Sequence, residues 1–278
     1  MSLRFTKMHG TGNDFVVIDA TQARFVPTPA LLQRLTDRRF GVGCDQVLVV
    51  EAPSQADVDF DYRIFNADGS EVGQCGNGSR CLARFVVEQG LSDKPRLRVR
   101  TRTAVLELER LPDGQVRVNM GAPRFEPRDI PFRAEARRAR YALEQDGQRI
   151  DFGAVSMGNP HLVIEVPDVD RAPVQTLGPK LEPHPDFPEH VNVGFLQVVS
   201  RDRVRLRVYE RGAGETLACG SGACAAVVMG RIWEKLDPRV TVEVRGGELV
   251  IEWPGGTEPV LMTGPAETVF RGELEWNP

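Results

Sequence analysis

The 278-residue sequence has no uninterrupted apolar run of the roughly 18 residues that a membrane-spanning helix needs. Its first ten residues also lack the apolar core of a secretion signal. The formal net charge is only −4 at pH 7, so the composition does not indicate nucleic acid or an anionic membrane surface as a partner. These absences predict a soluble, cytoplasmic protein that binds neither nucleic acid nor membrane.

Cysteine, histidine and lysine are scarce as well. The chain has five cysteines, an odd number, which argues against a disulfide scaffold. Their spacing does not form the paired C-x₂-C knuckles of structural zinc sites, and the chain has only four histidines. None of the lysines, at positions 7, 94, 180 and 235, lies in a motif typical of a pyridoxal phosphate Schiff base. We therefore expect a reaction that needs no metal and no cofactor.

The sequence does contain one cysteine motif twice, at an offset of 144 residues. The first copy reads Cys75-Gly76-Asn77-Gly78 and the second reads Cys219-Gly220-Ser221-Gly222. In each copy a glutamate lies four residues before the cysteine, and a segment of helical character follows it. A single cysteine in a glycine turn is usually a buried structural residue, but its recurrence in matched surroundings indicates a functional pair.

Other matches keep the same order along the two halves. Asn159 corresponds to Asn13 and Asn192 to Gln46, both at an offset of 146 residues. A strand pattern at residues 268–276 has no counterpart at the end of the first half, so we expect it to return and complete the first domain. The repeat predicts an internal duplication with two domains, residues 1–120 plus 265–278 and residues 121–264.

Local patterns predict several elements. Thr28-Pro29 is typical of an N-cap followed by a proline in the first turn, and we expect this helix to continue to about Arg39. Alternating residues at 97–109 and 115–120 predict two strands joined by a hairpin. The helical segment after Cys219 is apolar nearly all round, as expected for a helix wrapped by a sheet.

A cysteine directly ahead of a helix is suited to acid–base chemistry. A free thiol has a pKa near 8.5, and a helix N-terminus can lower this pKa to roughly 3.5–7.5. The backbone N–H groups at the same place form a site for an anion such as a substrate carboxylate, and neighbouring glycines allow its close approach. Hydrogen bonds to that carboxylate strengthen as its α-carbon loses a proton. One thiolate and one thiol on opposite faces of the carbon would then act as base and acid.

Other side chains require a choice between a functional and a structural interpretation. His161 follows a Gly-Asn turn, and its position in the repeat favours a role beside a catalytic thiol over a satisfied core histidine. Glu210 stands where the first copy has Asn66, so the two halves offer different chemistry at equivalent positions. Arg211 is either a bidentate clamp for a carboxylate or a member of a surface ion pair. The cysteines without a partner in the repeat are interpreted as packing residues, namely Cys44, Cys81 and Cys224.

The two cysteine blocks, residues 68–81 and 210–225, closely resemble those of diaminopimelate epimerases. The resemblance continues from the motif His9-Gly10-Thr11-Gly12-Asn13-Asp14-Phe15 to the final strand, so it covers nearly the whole chain. It implies an α+β fold with two pseudo-symmetric domains, each a curved, mostly antiparallel sheet or partial barrel around a central helix. It also implies an active site where the domains meet, and a homodimer, although Phe270 stands where relatives often have tyrosine near the dimer surface.

The resemblance further implies the activity, which is cofactor-independent interconversion of LL- and meso-2,6-diaminopimelate on the bacterial route to lysine and peptidoglycan. Cys75 and Cys219 look like the acid–base pair of the family, and His161 and Glu210 like the residues that adjust the pKa values of the two thiols. The residues that match the family's substrate-binding positions are Asn13, Gln46, Asn66, Gly76, Asn77, Asn159, Asn192, Glu210, Arg211, Gly220 and Ser221.

Two rival interpretations remain. The first is another member of the same superfamily, either a proline or hydroxyproline racemase or an isomerase of the phenazine-biosynthesis type. The isomerases lack the cysteine pair, and a proline-sized pocket does not need Asn66, Asn159, Asn192 and Arg211 together. A non-catalytic amino-acid-binding or redox-sensing protein would instead use the thiols as a switch, and it would not exchange the α-proton of an amino acid with solvent.

Overall fold

A computed structural model describes residues 2–73 and 75–275 of the chain. The chain divides into two compact units, Met1–Val118 with Gly264–Pro278, called unit 1, and Asn119–Thr263, called unit 2. Trp276, at the end of the predicted final strand, and residues 1 and 277–278 of the predicted first domain lie outside the described residues.

Unit 1 starts with two antiparallel strands and contains the first cysteine motif. Its elements are β1 (Ser2–Gly10), β2 (Asn13–Ala20), α1 (Pro29–Thr36), β3 (Gln46–Glu51), β4 (Phe60–Asn66), β5 (Glu71–Val72), α2 (Gly76–Glu88), β6 (Arg96–Arg100), β7 (Val105–Arg110), β8 (Val116–Asn119) and, from the end of the chain, β18 (Glu267–Glu275).

Unit 2 contains the second cysteine motif. Its elements are a 3₁₀ turn (Pro127–Asp129), β9 (Tyr141–Gln145), β10 (Gln148–Ser156), β11 (Pro160–Glu165), α3 (Val174–Leu181), β12 (Asn192–Ser200), β13 (Arg203–Glu210), β14 (Gly214–Glu215), α4 (Gly220–Ile232), β15 (Arg239–Val244), β16 (Gly247–Glu252) and β17 (Leu261–Gly264).

The two units pair their strands in the same way. β2 lies parallel to β3 with Phe15 opposite Gln46, and β11 lies parallel to β12 with His161 opposite Asn192, each pair related by the 146-residue offset. In unit 1, β4 is antiparallel to β3 and parallel to β6. In unit 2, β13 is likewise antiparallel to β12 and parallel to β15. β18 is antiparallel to β1, in the position that β9 takes beside β10. The predicted α+β fold, with pseudo-symmetric and mostly antiparallel sheets, is confirmed.

Each unit packs its sheet against the helix that follows the cysteine. α2 contacts β1, β2, β3, β7 and β18, and its polar side carries an ion pair of 2.6 Å between Arg84 and Glu88. α4 contacts β10 to β13, β15 and β16, and its residues 222–230 are all buried. Alanine, glycine and valine dominate that segment, so strands approach it from every side and bury apolar surface. The sheet therefore fixes the position of each helix and of the cysteine ahead of it.

α1 begins at Pro29 as expected but ends at Thr36, so the predicted continuation to Arg39 is wrong. The carboxylate of Asp37 accepts hydrogen bonds from the two backbone N–H groups at positions 39 and 40, at 2.7 and 2.8 Å. The chain then folds back, and the N–H of Gly43 donates to the carbonyl of Leu35 at 2.9 Å. These contacts end α1 at Thr36. They involve residues that follow the helical pattern in the sequence, so the pattern does not predict them.

The single strand predicted at residues 97–109 is also wrong, because β6 and β7 are two antiparallel strands. The turn between them depends on Thr101, whose backbone N–H donates to the carbonyl of Ala104 at 2.8 Å and whose hydroxyl accepts from the N–H of Ala104 at 3.1 Å. Residues 101–104 contain neither glycine nor proline, which explains why the pattern showed no break.

α2 and α4 end in the same hydrogen-bond pattern but with different residues. Gly90 has φ +69°, and Glu234, its counterpart at the 144-residue offset, has φ +60°. Their N–H groups donate to Val87 and Arg231 respectively, each at 2.9 Å. Glycine adopts this left-handed conformation at little cost, whereas glutamate does not.

Substitutions at this matched pair are expected to change stability in opposite directions. Glu234→Gly should raise the free energy of unfolding by about 1 kcal/mol, and Gly90→Ala should lower it by about the same amount, because only the backbone conformation is affected. No atom lies within 4 Å of a Cβ placed at Gly90, so steric overlap does not contribute. Urea denaturation measures both variants, and a Glu234→Gly variant less stable than the parent protein would contradict this account.

Candidate active site

Cys75 is the N-cap residue of α2 and lies half-buried. Its Sγ accepts a hydrogen bond from the backbone N–H of Gly78 at 3.4 Å, and its carbonyl accepts from the hydroxyl of Ser79 at 2.9 Å. The first N–H groups of a helix have no partner within the helix and carry partial positive charge. They therefore favour the thiolate form of a cysteine held in this position.

Two asparagines predicted to bind substrate lie beside Cys75. The thiol of Cys75 is 3.9 Å from Oδ1 of Asn13, and Nδ2 of Asn77 donates to the same oxygen at 3.2 Å. Gln46 and Asn66, on neighbouring strands, form a separate pair in which Nε2 donates to Oδ1 at 2.9 Å. All four side chains are amides, which can accept hydrogen bonds from an ammonium group and donate them to a carboxylate.

Cys219 is the N-cap residue of α4 and is only 3% exposed. Its Sγ lies 3.6 Å from Oγ of Ser221, and this hydroxyl accepts from Nδ2 of Asn159 at 3.3 Å. Oδ1 of Asn159 in turn lies 2.9 Å from Nε2 of His161. Four residues predicted to act in the site are thus connected by hydrogen bonds within unit 2.

The pKa of the Cys219 thiol is raised well above its ordinary value. Burial is the largest cause, and the negative charge of Glu210 and a hydrogen bond to Glu210 raise it further. The hydroxyl of Ser221 and the N–H of Gly222 act in the opposite direction. A buried thiol next to a carboxylate keeps its proton, so Cys219 is a proton donor in this conformation.

Asn192 and Arg211 lie together in unit 2. Nδ2 of Asn192 donates to the carbonyl of Pro160 at 2.9 Å, and Oδ1 accepts from the backbone N–H of Arg211 at 3.0 Å. The side chain of Arg211 is exposed and donates one hydrogen bond, to the carbonyl of Glu189 at 2.9 Å. Asn192 therefore holds the backbone of Arg211, while most of the guanidinium N–H groups remain available to a ligand.

His161 is almost completely buried, and its pKa falls to about 3 because burial disfavours the imidazolium and the positive charge of Arg211 repels it. The ring is therefore uncharged at neutral pH, and it acts on its surroundings as a neutral hydrogen-bonding group.

The low pKa of His161 predicts a loss of stability in mild acid. The unfolded chain binds a proton at His161 near pH 6.5, whereas the folded chain does so only near pH 3, so protonation favours unfolding as the pH falls between these values. Between pH 6.5 and 4.5 the contribution is about 2 kcal/mol. A His161→Gln variant should lose less stability over this interval in urea titrations. Parallel curves for the variant and the parent protein would show that His161 is not buried as a neutral group.

The three remaining cysteines lie apart from these contacts. Cys44, Cys81 and Cys224 are at most 3% exposed, and burial raises the pKa of both Cys44 and Cys81 to about 12. Such thiols are inert at neutral pH. The described residues contain no cluster of three potential metal ligands and no helix long and apolar enough to cross a membrane.

Sequence reasoning missed two residues beside Cys75. Oδ2 of Asp45 accepts from Nδ2 of Asn13 at 2.9 Å and so orients this amide; its place next to Gln46 in the glycine turn was the available signal. The buried hydroxyl of Tyr62 has no hydrogen-bond partner within the described chain, and it would lie 2.3 Å from a Cβ placed at Gly78. Gly78 is therefore required for packing against Tyr62, in addition to the close approach of a carboxylate that the sequence predicts for it. No local sequence pattern indicates that Tyr62 lies beside the cysteine.

Comparison with known proteins identifies relatives along almost the whole chain. The family model described as "Diaminopimelate epimerase" matches residues 5–126 and 153–269. The diaminopimelate epimerase of Thioalkalivibrio sulfidiphilus is 58% identical over 277 residues, which cover 99% of this chain and 100% of the relative. That of Stutzerimonas stutzeri is 57% identical over 274 residues, 99% of each chain.

Solved structures share the fold at low sequence identity. A probable proline racemase from Agrobacterium radiobacter has a TM-score of 0.74 at 15% identity, covering 99% of this chain and 94% of its own. A hydroxyproline epimerase from Agrobacterium vitis has a TM-score of 0.73 at 16% identity, covering 98% and 92%. At this identity the likeness concerns the fold alone.

Proposed function

Because this chain belongs to the diaminopimelate epimerase family, we propose that it interconverts LL- and meso-2,6-diaminopimelate, in the synthesis of lysine and of peptidoglycan precursors. One observation carries the proposal beyond the family. Each half of the duplicated fold starts its central helix at a cysteine, and each cysteine is accompanied by amide or hydroxyl groups. A pair of such thiols can act as base and acid and so exchange one α-proton without a cofactor.

In the proposed mechanism Cys75 and Cys219 work on opposite faces of the reacting α-carbon. One cysteine, as thiolate, removes the α-proton, and the other, as thiol, returns a proton to the opposite face. The raised pKa of Cys219 supports this residue as the thiol of the resting enzyme, with Cys75 as the base. The reverse reaction starts from the other protonation state, in which Cys219 as thiolate removes the α-proton and Cys75 as thiol returns one. Glu210 raises the pKa of Cys219 and so makes its thiolate the stronger base.

The N–H groups of Gly76, Asn77, Gly220 and Ser221 are proposed to hold the reacting carboxylate at the two helix N-termini. As the α-carbon loses its proton, charge spreads onto these carboxylate oxygens, where preformed donors stabilise it most. The proposal needs no metal and no cofactor.

The remaining polar groups are proposed to bind the amino-acid end that does not react. This end carries an ammonium and a carboxylate, and only its L configuration places both groups opposite suitable partners. Arg211 suits the carboxylate, and Glu210 and the amides suit the ammonium. The residues assigned to this task are Asn13, Gln46, Asn66, Asn159, Asn192, Glu210 and Arg211, with His161 as a neutral neighbour that fixes Asn159.

The central test is deuterium exchange with LL-diaminopimelate in heavy water, without added cofactor. The parent protein should incorporate deuterium at the α-carbon and form the meso isomer. Cys75→Ala and Cys219→Ala should each lower epimerisation at least 1,000-fold, because each face needs its own proton carrier. Cys44→Ala, at a buried cysteine outside the site, serves as the control and should remain active. Normal turnover by either single variant of the pair would contradict the mechanism.

A proline-type racemase shares the fold, so the substrate requires its own test. The 58% identical relative is named a diaminopimelate epimerase, whereas the proline-type structures are at most 16% identical. Turnover of proline or hydroxyproline but not of LL-diaminopimelate would overturn the substrate assignment. A protein that binds an amino acid and exchanges no proton would be a binder or sensor.

A homodimer is proposed through the surface of β18. Val269 and Phe270 on this strand are 55% and 47% exposed, and they are neighbours in the sequence. Phe270 also packs edge-on against Phe5 at 6.0 Å, which holds its ring in place. We further propose that units 1 and 2 are the two epimerase domains, and that the enzyme works in the reducing cytoplasm, since all five cysteines are free.

Phe270→Arg is expected to convert the dimer to a monomer, because it introduces a charge into an apolar contact. Sedimentation velocity measures the change. Phe40→Arg, at a phenylalanine 74% exposed in another part of unit 1, is the matched control and should leave the dimer intact. A parent protein that sediments as a monomer at micromolar concentration would contradict the proposed contact.

A further inference from the structure

The same two-pronged ion pair occurs beside each cysteine motif. In unit 1, Nε and Nη2 of Arg63 donate to Oε1 and Oε2 of Glu71 at 3.1 and 2.8 Å. In unit 2, Nε and Nη2 of Arg207 donate to Oε1 and Oε2 of Glu215 at 2.7 and 3.0 Å. Both members of the pair are related by the 144-residue offset that relates the cysteines. The repeat has therefore retained this contact as well as the thiols.

The ion pair closes the hairpin that leads into each cysteine. Arg63 lies on β4 and Glu71 on β5, four residues before Cys75; Arg207 lies on β13 and Glu215 on β14, four residues before Cys219. The pair thus joins the strand that ends in a proposed substrate-binding residue to the segment that carries the thiol. A bidentate arginine–carboxylate pair fixes both distance and orientation, which a single contact does not.

A second anchor holds the backbone between each glutamate and its cysteine. In unit 1 the hydroxyl of Thr103 donates to the carbonyl of Gly73 at 2.9 Å. In unit 2 the N–H of Gly246 donates to the carbonyl of Leu217 at 2.9 Å. Gly73 and Leu217 are each two residues before their cysteine, and both donors lie between the next two strands of their unit. In each unit, the four residues before the cysteine therefore contain an ion-paired glutamate and a backbone carbonyl that accepts a hydrogen bond from a neighbouring loop.

The copy in unit 2 is the more enclosed one. The side chain of Glu215 is 2% exposed and also receives contacts from Arg245, at 3.3 Å, and from Gln175, at 2.5 Å. The side chain of Glu71 is 24% exposed. The pair in unit 1 is therefore reached by solvent more than the pair in unit 2, and the feature that the two copies share is their bidentate geometry ahead of the cysteine.

We propose that Arg63, Glu71 and Thr103 are positioning residues for Cys75, and that Arg207 and Glu215 are positioning residues for Cys219. Each ion pair holds its hairpin so that the thiol stays at the first turn of its helix. The effect on turnover rests on the proposed epimerase function, but the effect on the thiols does not. A displacement of about 1 Å at a reacting group is enough to lower a rate on the order of 100-fold.

The test compares charge-removing variants of the two copies with matched ion pairs elsewhere in the same unit. Glu71→Gln and Glu215→Gln are the test variants. Glu109→Gln, beside Arg96 and Arg117, and Glu243→Gln, beside Arg205, are the controls. The rate of alkylation by iodoacetamide is measured for each cysteine separately by peptide mass spectrometry, together with kcat, KM and the thermal midpoint of unfolding.

Each test variant should affect only the thiol of its own repeat. Glu71→Gln should slow alkylation of Cys75 at pH 7.5 at least threefold, because the thiolate loses the N–H of Gly78, and leave Cys219 unchanged. Glu215→Gln should speed alkylation of the buried Cys219 at least threefold and leave Cys75 unchanged. Both should lower kcat at least tenfold with a smaller change in KM, and the controls should behave as the parent protein does.

Thr103 supplies a second test of the unit 1 copy in case Glu71→Gln does not fold. Thr103→Val removes the donor and should slow Cys75 alkylation, whereas Thr103→Ser keeps the hydroxyl and should restore the parent rate. Unchanged thiol rates in both Glu71→Gln and Thr103→Val would overturn the proposal. So would equal changes at both cysteines with a lower unfolding midpoint, which indicate a general loss of structure. If the thiol effects occur but the parent protein does not turn over diaminopimelate, the proposed function fails and the positioning role stands.

Discussion

The proposed chemistry of this chain depends on the contact between a sulfur atom and the first turn of a helix. Each thiol is an N-cap, and the sheet packed around the helix decides where that N-cap lies. The two copies then differ in their surroundings. Cys75 is half-buried among amides, and Cys219 is buried beside the carboxylate of Glu210. One duplicated scaffold thus places its two thiols in different surroundings, and burial and Glu210 raise the pKa of Cys219.

The polar residues of unit 2 that are proposed to bind substrate are already held in place by other groups of the protein. Asn192 uses both ends of its amide on the backbone, and Asn159 is held between His161 and Ser221. Because the ring of His161 carries no charge, it does not compete with Arg211 for an anion. In the proposed binding role, side chains that are already held lose little conformational freedom, which keeps the entropic cost of binding low.

The sequence was sufficient for the features that depend on local or repeated patterns. The duplicated cysteine motif, the common order of the matched residues in the two halves and the start of α1 follow from spacing and capping residues. Features that depend on contacts between distant residues were not accessible. The end of α1 depends on Gly43 folding back, the turn at Thr101 has no glycine or proline, and the glutamate before each cysteine could be seen without its arginine on the neighbouring strand.

The pairing of β18 with β1 has a consequence for the order in which the molecule is made. Unit 1 contains the first residues of the chain and also nearly the last ones, whereas unit 2 is continuous. Domains of a nascent chain usually fold in the order of synthesis. Unit 1 cannot pair β1 with β18 until β18 has been synthesised. Unit 2 has all its strands before that point. A chain that lacks β18 would therefore be damaged in the unit that contains its first strand.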